Sequence, residues 1–335
     1  MRATLITAGV ISTSIAAAAA ATTTNNNNND RPRTWSEDSD NPLPLVIWHG
    51  LGDSASGEGL AEIAQLAHAI APGILVHIVN PNKDGGDDRT ATFFGNVTEQ
   101  VQTVCDQLAS DPILSTAPAI DAIGFSQGGQ FLRGYIERCN FPPVRNLITF
   151  GSQHNGITEF RECGTTDLLC QGAMALLRFN VWSAFVQGRV VPAQYFRSTE
   201  GDAYRSYLDS SNFLADINNE RDLKNKKYKK NLASLDNFVM YLFANDTVSI
   251  PKESSWFGEI TGDGNHTPLK EQPIYKEDWL GLKKLDEKGA LKFKTIEGDH
   301  MQIPAQVLND TLTEFLGPFK GKVSESSGDF ESDEL

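Results

Sequence analysis

The chain has 335 residues, 40% hydrophobic and 21% charged, which is typical of a folded protein with one large α/β domain or two smaller ones. Its formal net charge of −14 at pH 7 argues against electrostatic attraction to nucleic acid or to anionic lipid headgroups. We therefore expect neither nucleic acid nor another polyanion as a partner.

The N-terminus has the features of a secretory signal peptide. Met1–Ala21 begins with Arg2, continues through an apolar stretch and ends in a block of alanines, without an acidic residue. The alternative is a membrane anchor, but the stretch is short and alanine-rich for a bilayer span of about 20 strongly apolar residues. We assign residues 1–24 to a signal peptide, expect no stable membrane span, and interpret the polar, asparagine-rich residues 25–41 as a flexible leader.

Short apolar runs alternate with longer helix-like segments in the folded part of the chain, which we place at residues 42–319. Strands separated by helical lengths predict right-handed β-α-β crossovers, and hence an α/β fold whose central sheet is mostly parallel and covered on both faces. The predicted strands are Leu45–Trp48, Ile74–Val79, Ala119–Phe125, Asn146–Phe150, Phe238–Ala244 and Leu291–Ile296.

The interval between the fourth and fifth predicted strands is too long for one crossover. We interpret residues 153–236 as a helical cap insertion, called the cap segment below. Within it, Cys170–Tyr195 carries apolar residues on more than one face of any helix, so a single buried stripe does not account for them. Two interpretations stay open: the surplus lines an apolar cleft above the sheet, or it packs inside a second small domain.

Residues 320–335 form an acidic, serine-rich tail that we expect to be disordered. The tail ends in Ser332-Asp333-Glu334-Leu335, which resembles an ER-retrieval signal except that Lys or His usually occupies the position of Ser332. Retention in the ER and secretion to the medium are therefore both open.

Four cysteines, an even number in a chain predicted to enter an oxidising compartment, predict two disulfides. Their spacing permits three pairings, and no Cys-x-x-Cys pair or histidine cluster favours zinc, so we expect no metal. The cysteines are Cys105, Cys139, Cys163 and Cys170. Acceptor sequences for N-glycans, which support secretion only weakly because such triplets are common by chance, begin at Asn96, Asn245, Asn265 and Asn309.

A serine nucleophile is predicted at Ser126. The run Gly124-Phe125-Ser126-Gln127-Gly128-Gly129 follows a predicted strand and precedes a helix-like segment, the setting in which a tight turn holds a serine hydroxyl clear of the sheet. Gly124 and Gly128 allow the close backbone passage, and the helix N-terminus adds positive potential where an oxyanion develops. A plain turn is the alternative, since a bare Gly-x-Ser-x-Gly string also arises by chance.

A serine hydroxyl needs a base that takes its proton and a carboxylate that orients the base. In a hydrolase of this kind both follow the serine in the chain, the acid before the histidine. His154 comes too early in that order and His266 lies in a polar loop, whereas His300 follows the last predicted strand. Asp246 follows the fifth strand at its carboxyl end. We prefer it to Asp299, because neighbours in sequence seldom present their side chains to each other.

Two backbone N–H groups are predicted to bind the oxyanion. One belongs to Gln127, directly after the nucleophile, and the other to Leu51 in the loop His49–Asp53 that follows the first strand. The His-Gly pair there matches the position of the oxyanion motif in esterases, and a simple glycine turn is the alternative. Each such donor is typically worth about 3 kcal/mol of transition-state stabilisation.

With these motifs the chain resembles the palmitoyl-protein thioesterases, a family of lysosomal α/β-hydrolases that remove fatty acyl groups from cysteine. The resemblance covers roughly Leu43 to Leu316. The segments that carry it are PLVIWHGLGD from Pro44, GFSQGGQFLRGYIERC ending at Cys139, NLITFGSQHNG from Asn146, FLADINNER from Phe213, SSWFGE from Ser254 and EGDHMQI from Glu297.

The resemblance implies an α/β-hydrolase fold and a set of site residues. Position by position, the nucleophile, acid and base fall on Ser126, Asp246 and His300, and the oxyanion donors on Leu51 and Gln127. The implied disulfides join Cys105 to Cys139 and Cys163 to Cys170.

The chain departs from the family at two places. Family members often have adjacent cysteines after the position of Asp53, where this chain has Ala55 and Ser56, so one possible disulfide is absent. The C-terminal Asp-Glu-Leu is also unlike the family, for which a lysosome or vacuole is the expected residence.

The expected reaction is hydrolysis of S-palmitoylated proteins or peptides, or of other fatty acyl thioesters, through an acyl-enzyme and without any cofactor. A lipase or carboxylesterase that uses the same three side chains on oxygen esters is the alternative enzyme. A catalytically silent module that binds acyl chains or proteins is the alternative outside enzymes.

Overall fold

The computed structural model describes residues 41–82, 88–160 and 163–318. The predicted signal peptide, the predicted leader up to residue 40 and the predicted acidic tail lie outside the described residues.

Six parallel strands form the central sheet, in the order β2-β1-β3-β4-β5-β8. All six predicted strands are confirmed, with ends shifted by two residues at most, and the sequence did not predict the short antiparallel pair formed by β6 and β7. The strands are β1 (Leu45–Trp48), β2 (Val76–Ile78), β3 (Ile120–Phe125), β4 (Val144–Phe150), β5 (Asn237–Phe243), β6 (Glu259–Ile260), β7 (His266–Thr267) and β8 (Leu291–Ile296).

Helices cover both faces of the sheet and fill the long interval between β4 and β5. The α-helices are α1 (Glu58–Ile70), α2 (Asp88–Phe93), α3 (Val97–Ser110), α4 (Gln127–Arg138), α5 (Leu168–Asn180), α6 (Ala184–Gln187), α7 (Gly201–Ser210), α8 (Leu214–Ile217), α9 (Lys226–Leu232), α10 (Pro273–Lys276), α11 (Leu282–Glu287) and α12 (Ala305–Phe315). Short 3-10 helices span Leu114–Thr116, Val191–Tyr195, Lys252–Trp256 and Leu269–Glu271.

The central strands are apolar on both faces because each face packs under helices. In β1, Val46 and Trp48 join the layer that contains residues of α3, α4, α9 and α11. Leu45 and Ile47 join the opposite layer, with residues of α1 and α12. Burying one side chain of this size contributes about 1.5–3 kcal/mol, so the two layers fix the sheet and the direction of its strand ends. The fold is that of an α/β-hydrolase, as the sequence predicts.

The first helices of the cap segment pack against α2. Ala173 and Leu177 of α5 share an apolar cluster with Phe93 of α2 and with Val186 and Val190. Met174 packs against the same cluster and also lines a pocket. The apolar residues of this helix therefore take part in both core packing and the pocket wall.

A buried arginine connects α4 to the start of the cap segment and to the end of α8. The Arg133 guanidinium donates to the carbonyl oxygen of His154 at 3.0 Å, to that of Ile217 at 3.1 Å, and to the side-chain oxygen of Asn218 at 2.7 Å. It also pairs with Glu137 one turn along the helix, at 3.0 Å. Because a buried charge needs such partners, this network holds the start of the cap segment and the end of α8 against α4.

Candidate active site

Ser126 occupies a strained turn between β3 and α4. Its backbone has φ +50° and ψ −124°, a conformation that side chains rarely adopt and that costs about 1–3 kcal/mol. Its N–H donates to the Phe150 carbonyl oxygen at 2.8 Å. A Cβ atom added to Gly124 would lie 2.1 Å from the Cα atom of Gly129, so the strand and the helix pass too closely for any side chain there. The glycines of the motif thus permit the turn that presents Ser126.

Three side chains from the carboxyl ends of β3, β5 and β8 meet in one hydrogen-bonded series. His300 Nε2 lies 3.0 Å from Ser126 Oγ, and His300 Nδ1 lies 2.7 Å from Asp246 Oδ2. Because a carboxylate only accepts, Nδ1 carries the proton and the lone pair of Nε2 faces the serine hydroxyl. The geometry is therefore that of a nucleophile, a base and an orienting acid.

The two loops that carry the acid and the histidine are bonded to each other. Asp246 Oδ1 accepts from the N–H groups of Val248 and Ser249, both at 2.8 Å, which leaves Oδ2 for the imidazole. Asp299, the other candidate acid, accepts from His300 N–H at 2.7 Å and from Thr247 N–H at 2.9 Å. The backbone bond from His300 lowers the pKa of Asp299, which stays ionised. Asp299 therefore joins the loops and does not contact the ring.

The loop after β1 lies beside the serine. A Cβ atom added to Gly50 would be 3.1 Å from Ser126 Cβ, and Leu51 and Ser126 both line the same pocket. Gln127 is the first residue of α4, and the first N–H groups of a helix have no partner within the helix. Both predicted oxyanion donors are thus on elements that flank Ser126.

The Gln127 side chain has its own partners, which the sequence did not reveal. Tyr195 O–H donates to Gln127 Oε1 at 3.2 Å, and Gln127 Nε2 donates to the Thr92 carbonyl oxygen at 3.4 Å. These bonds connect the residue after the nucleophile to the cap segment and to α2.

A pocket of about 620 Å³ opens at Ser126 and His300, a volume within the range of about 300–1,000 Å³ usual for small-molecule sites. Its wall combines residues of the cap segment with residues of the sheet edge, so the cap segment does line a cleft. Apolar lining residues include Leu51, Leu60, Ile63, Phe93, Phe125, Ile157, Phe160, Met174, Pro192, Tyr195, Val248, Met301 and Ile303.

The other two histidines of the C-terminal part lie outside this arrangement. His154 is buried, its ring stacks on Phe257 with centroids 5.0 Å apart, and Nε2 lies 3.1 Å from Thr149 Oγ1. Burial holds the pKa of His154 well below its ordinary value, with the Arg133 charge as a second cause. His266 is exposed in β7. Chain order had set His154 aside, and the polar surroundings of His266 had set that residue aside.

The cysteines form the two pairs that the resemblance implies. Cys105 of α3 is bonded to Cys139 at the end of α4, and Cys163 is bonded to Cys170 of α5, where both line the pocket. Within the described ranges, no cluster of three or more His, Cys, Asp or Glu side chains could hold a metal ion. In the same ranges, none of the helices has the length and apolarity that crossing a bilayer requires.

The four candidate glycan acceptors differ in exposure. Asn245 and Asn265 are exposed, whereas Asn309 is half-buried in α12. Asn96 is half-buried and caps α3, with its side-chain oxygen accepting from the N–H groups of Thr98 and Glu99. The two exposed side chains are the more accessible to a glycosylating enzyme.

The family model and the related proteins that match this chain point to the same family. The family model described as palmitoyl protein thioesterase matches residues 44–300. Palmitoyl-protein thioesterase 1 of Caenorhabditis elegans is 39% identical over 278 residues, covering 82% of this chain and 92% of that protein. Lysosomal thioesterase PPT2 of Homo sapiens is 30% identical over 255 residues, covering 74% of this chain and 78% of that protein.

A third relative is longer than this chain. The palmitoyl-protein thioesterase-dolichyl pyrophosphate phosphatase fusion 1 of Schizosaccharomyces pombe is 33% identical over 273 residues, which are 80% of this chain and 42% of the fusion. The match thus spans less than half of the fusion protein. From the family model and the relatives together, the chain belongs to the palmitoyl protein thioesterase family.

Proposed function

We propose that this chain is a serine hydrolase that removes long-chain fatty acyl groups, palmitoyl above all, from S-acylated cysteine in proteins or peptides. The observation that carries the proposal is the hydrogen-bonded series from Asp246 through His300 to Ser126 at the wall of an apolar pocket. Membership in the palmitoyl protein thioesterase family supports a thioester as the bond that is cleaved.

The first half-reaction transfers the acyl group to the enzyme. His300 Nε2 takes the proton of Ser126 Oγ, and the oxygen attacks the thioester carbonyl carbon. The N–H groups of Leu51 and Gln127 stabilise the negative charge that moves to the carbonyl oxygen. When the tetrahedral intermediate collapses, the C–S bond breaks and a thiolate leaves. The proton that His300 took from Ser126 passes to this thiolate or to solvent, which returns His300 to its neutral form. Since a cysteine thiol has a pKa of about 8.5, this thiolate departs with little help from an acid.

The second half-reaction releases the fatty acid. His300 takes a proton from water, the hydroxide attacks the acyl-serine carbonyl, and the C–O bond to Ser126 breaks as the serine oxygen regains a proton from His300. Asp246 holds the imidazole in one tautomer throughout and stabilises its charged form. These steps use three side chains, two backbone N–H groups and water.

The pocket supplies a reason for preferring a long acyl chain. Its apolar wall comes from both the cap segment and the sheet edge, including Phe160, Met174 and Tyr195 on the one and Leu60 and Met301 on the other. Each methylene moved from water into such a wall gains about 0.8 kcal/mol. A chain of many methylenes thus provides most of the affinity, and the protein part of the substrate is read only weakly.

The test compares two peptides of identical sequence, one with palmitoyl on a cysteine sulfur and one with palmitoyl on a serine oxygen. We expect the purified chain to hydrolyse the thioester with the higher kcat/KM, and Ser126→Ala to abolish hydrolysis while leaving the thermal unfolding temperature unchanged. A fluorophosphonate probe should label the wild type and not the variant.

Each other result points to a different function. A strong preference for the oxygen ester would indicate a lipase or carboxylesterase, and absence of both hydrolysis and labelling in the folded wild type would indicate a silent binding module. Unchanged hydrolysis by Ser126→Ala would remove this serine from the mechanism.

The proposal includes passage through the secretory pathway, with a lysosome or vacuole as the end point. The two disulfides of the described chain support an oxidising compartment, and the human relative is named as lysosomal. N-terminal sequencing of the purified protein should begin near residue 22, and a mature protein that still begins at Met1 would contradict the signal peptide. Deleting Asp333–Leu335 increases secretion only if these residues act in ER retrieval.

A further inference from the structure

A buried histidine lies directly behind the loop that carries one of the proposed oxyanion donors. His49 follows β1, is 1% exposed, and precedes Gly50 and Leu51, which line the pocket. Its two ring nitrogens face different groups. Nδ1 lies 3.2 Å from the Gly50 carbonyl oxygen, and Nε2 lies 3.4 Å from Asp88 Oδ2. His49 is not among the described residues that line the pocket, in contrast to Gly50 and Leu51.

The bond from His49 to Gly50 acts on the same peptide group that bears the proposed donor. The Gly50 carbonyl and the Leu51 N–H belong to one planar trans unit, so they point in opposite directions and rotate together. The Gly50 carbonyl oxygen and the Asp88 carboxylate both only accept. With both contacts in place each ring nitrogen therefore carries a proton, and Nδ1 donates to the Gly50 oxygen. When His49 holds the Gly50 carbonyl on the side away from the pocket, the Leu51 N–H points toward the pocket. The hydrogen bond to the carbonyl also polarises the peptide group, which makes the N–H a stronger donor.

Helix α2 anchors both the histidine and the rest of the loop. Asp88 Oδ2 accepts from Ala55 N–H at 2.6 Å as well as facing the His49 ring. Arg89 Nε donates to the Gly52 carbonyl oxygen at 2.8 Å. Asp88 is 6% exposed, so its contacts compete little with water. Gly52 and Ala55 are thus hydrogen-bonded to one short helix, and the His49 ring lies beside Asp88 of the same helix.

The same helix reaches the second proposed donor. Thr92 Oγ1 accepts from Gly52 N–H at 2.9 Å, and the Thr92 carbonyl oxygen accepts from Gln127 Nε2 at 3.4 Å. Hydrogen bonds to α2 therefore hold both the loop that carries Leu51 and the side chain of Gln127, although these two residues follow different strands.

We propose that His49 is a positioning residue for the oxyanion site, with Asp88 holding its ring, and that the pair sets the direction of the Leu51 N–H. The proposal rests on the proposed serine hydrolase function, since the direction of the Leu51 N–H matters only if an oxyanion forms beside Ser126. Asp53 N–H also donates to the Gly50 oxygen, at 3.4 Å, and survives when His49 is changed. Loss of His49 therefore removes part of the effect of an oxyanion donor.

The test uses two variants of nearly equal size. The amide nitrogen of an asparagine lies close to the place of a histidine Nδ1, so His49→Asn keeps a donor toward the Gly50 oxygen, whereas His49→Leu removes it. We expect His49→Leu to lower kcat by about 10- to 100-fold, below the 10²–10³-fold loss of a whole oxyanion donor, with KM changed by less than about 2-fold. His49→Asn should recover most of kcat.

Asp88→Asn provides a further variant if His49→Leu fails to fold. The asparagine oxygen can take the place of Asp88 Oδ2 and accept from Ala55 N–H, so the loop keeps that anchor while the negative charge 3.4 Å from His49 Nε2 is lost. We expect an intermediate loss of kcat, about 3- to 10-fold, with an unchanged thermal unfolding temperature. Wild-type kcat in folded His49→Leu, or equal losses of kcat with raised KM in the leucine and asparagine variants, would overturn the proposal.

The rate of Ser126 phosphonylation by a fluorophosphonate separates this proposal from the proposed function. The phosphoryl oxygen of the probe occupies the oxyanion site, so the order wild type, His49→Asn, His49→Leu should hold for labelling as well. If the wild type reacts with the probe but not with palmitoyl thioesters, the substrate proposal fails and the role of His49 is still decided by these rates. If the wild type reacts with neither, both proposals are overturned.

Discussion

Replacing Gly128 by alanine should reduce turnover and also lower the stability of the fold. A Cβ atom at this position would lie 2.3 Å from the Trp48 carbonyl oxygen and 2.4 Å from that of His49, both of them backbone atoms at the end of β1. Ordinary contact needs about 1 Å more, so the start of α4 and the end of β1 must move apart by roughly that distance. The proposed donors Gln127 and Leu51 lie on the two elements that separate.

A misplacement of about 1 Å in an active site typically costs about 100-fold in rate, equivalent to about 2.7 kcal/mol of activation free energy. We therefore expect kcat on an S-palmitoyl peptide to fall about 100-fold in Gly128→Ala. Overpacking of this kind should also lower the unfolding free energy by about 1–3 kcal/mol, to be measured by urea denaturation.

Gly134→Ala in the same helix is the matched control. Its added Cβ atom would lie 3.0 Å from ring carbons of Phe213, a side chain that can shift by a few tenths of an ångström, and it lies further along α4 from Ser126. This variant should lose some stability and keep kcat within about 2-fold of the wild type. If Gly128→Ala retains more than half of the wild-type kcat, the two donor-bearing elements are not held rigidly and the reasoning is refuted.

Three further variants test the acid, a buried carboxyl and a disulfide. Asp246→Asn should lower kcat about 10⁴-fold at unchanged KM, because His300 then takes the wrong tautomer, and retention of more than about 1% activity would contradict this. Burial raises the pKa of Asp121 to about 6, against 3.8 ordinarily. Between these pH values the folded state holds a proton that the unfolded state lacks, so Asp121 adds stability as pH falls. Asp121→Asn should remove roughly 1 kcal/mol of this gain between pH 7.5 and pH 5, measured by urea unfolding, and an equal pH response in both proteins would refute it. Replacing Cys105 and Cys139 together by alanine opens a loop that spans 34 residues and should lower the unfolding free energy by about 4 kcal/mol; a loss below about 1 kcal/mol would be inconsistent.

The sheet and the position of the serine were predictable because they leave local traces in the sequence. Every residue of β1 and β3 is buried, so β1 appears as an unbroken apolar run and β3 as an apolar run interrupted by Asp121. The glycines around Ser126 mark a place where backbones pass too closely for side chains. Chain order then selected His300, and the location after β5 selected Asp246.

The supports of the site were not predictable, because they join residues far apart in sequence. Asp88 contacts Ala55 across 33 positions, and Thr92 contacts Gly52 across 40. Such single bonds have no periodicity and no spacing rule. The role of Asp299 was missed for the same reason, since its bonds to Thr247 cross 52 positions. Only the coordinates reveal these partners.

The two interpretations left open for the cap segment could not be separated by hydrophobicity alone. Ala173 and Leu177 pack against α2, while Met174 lines the pocket, so one short helix satisfies core packing and cleft formation at once. An apolar residue gives the same signal in either role.

The proposed base is carried by an edge strand of the sheet. His300 follows β8, which is hydrogen-bonded to β5 on one side and forms an edge of the sheet. An edge strand opens at a lower free-energy cost than a central one, so fraying at β8 withdraws the imidazole while β3 and Ser126 remain intact. Inherited or engineered changes near this edge can thus yield molecules that pass cellular quality control, accumulate normally and still lack activity, which abundance measurements alone would overlook.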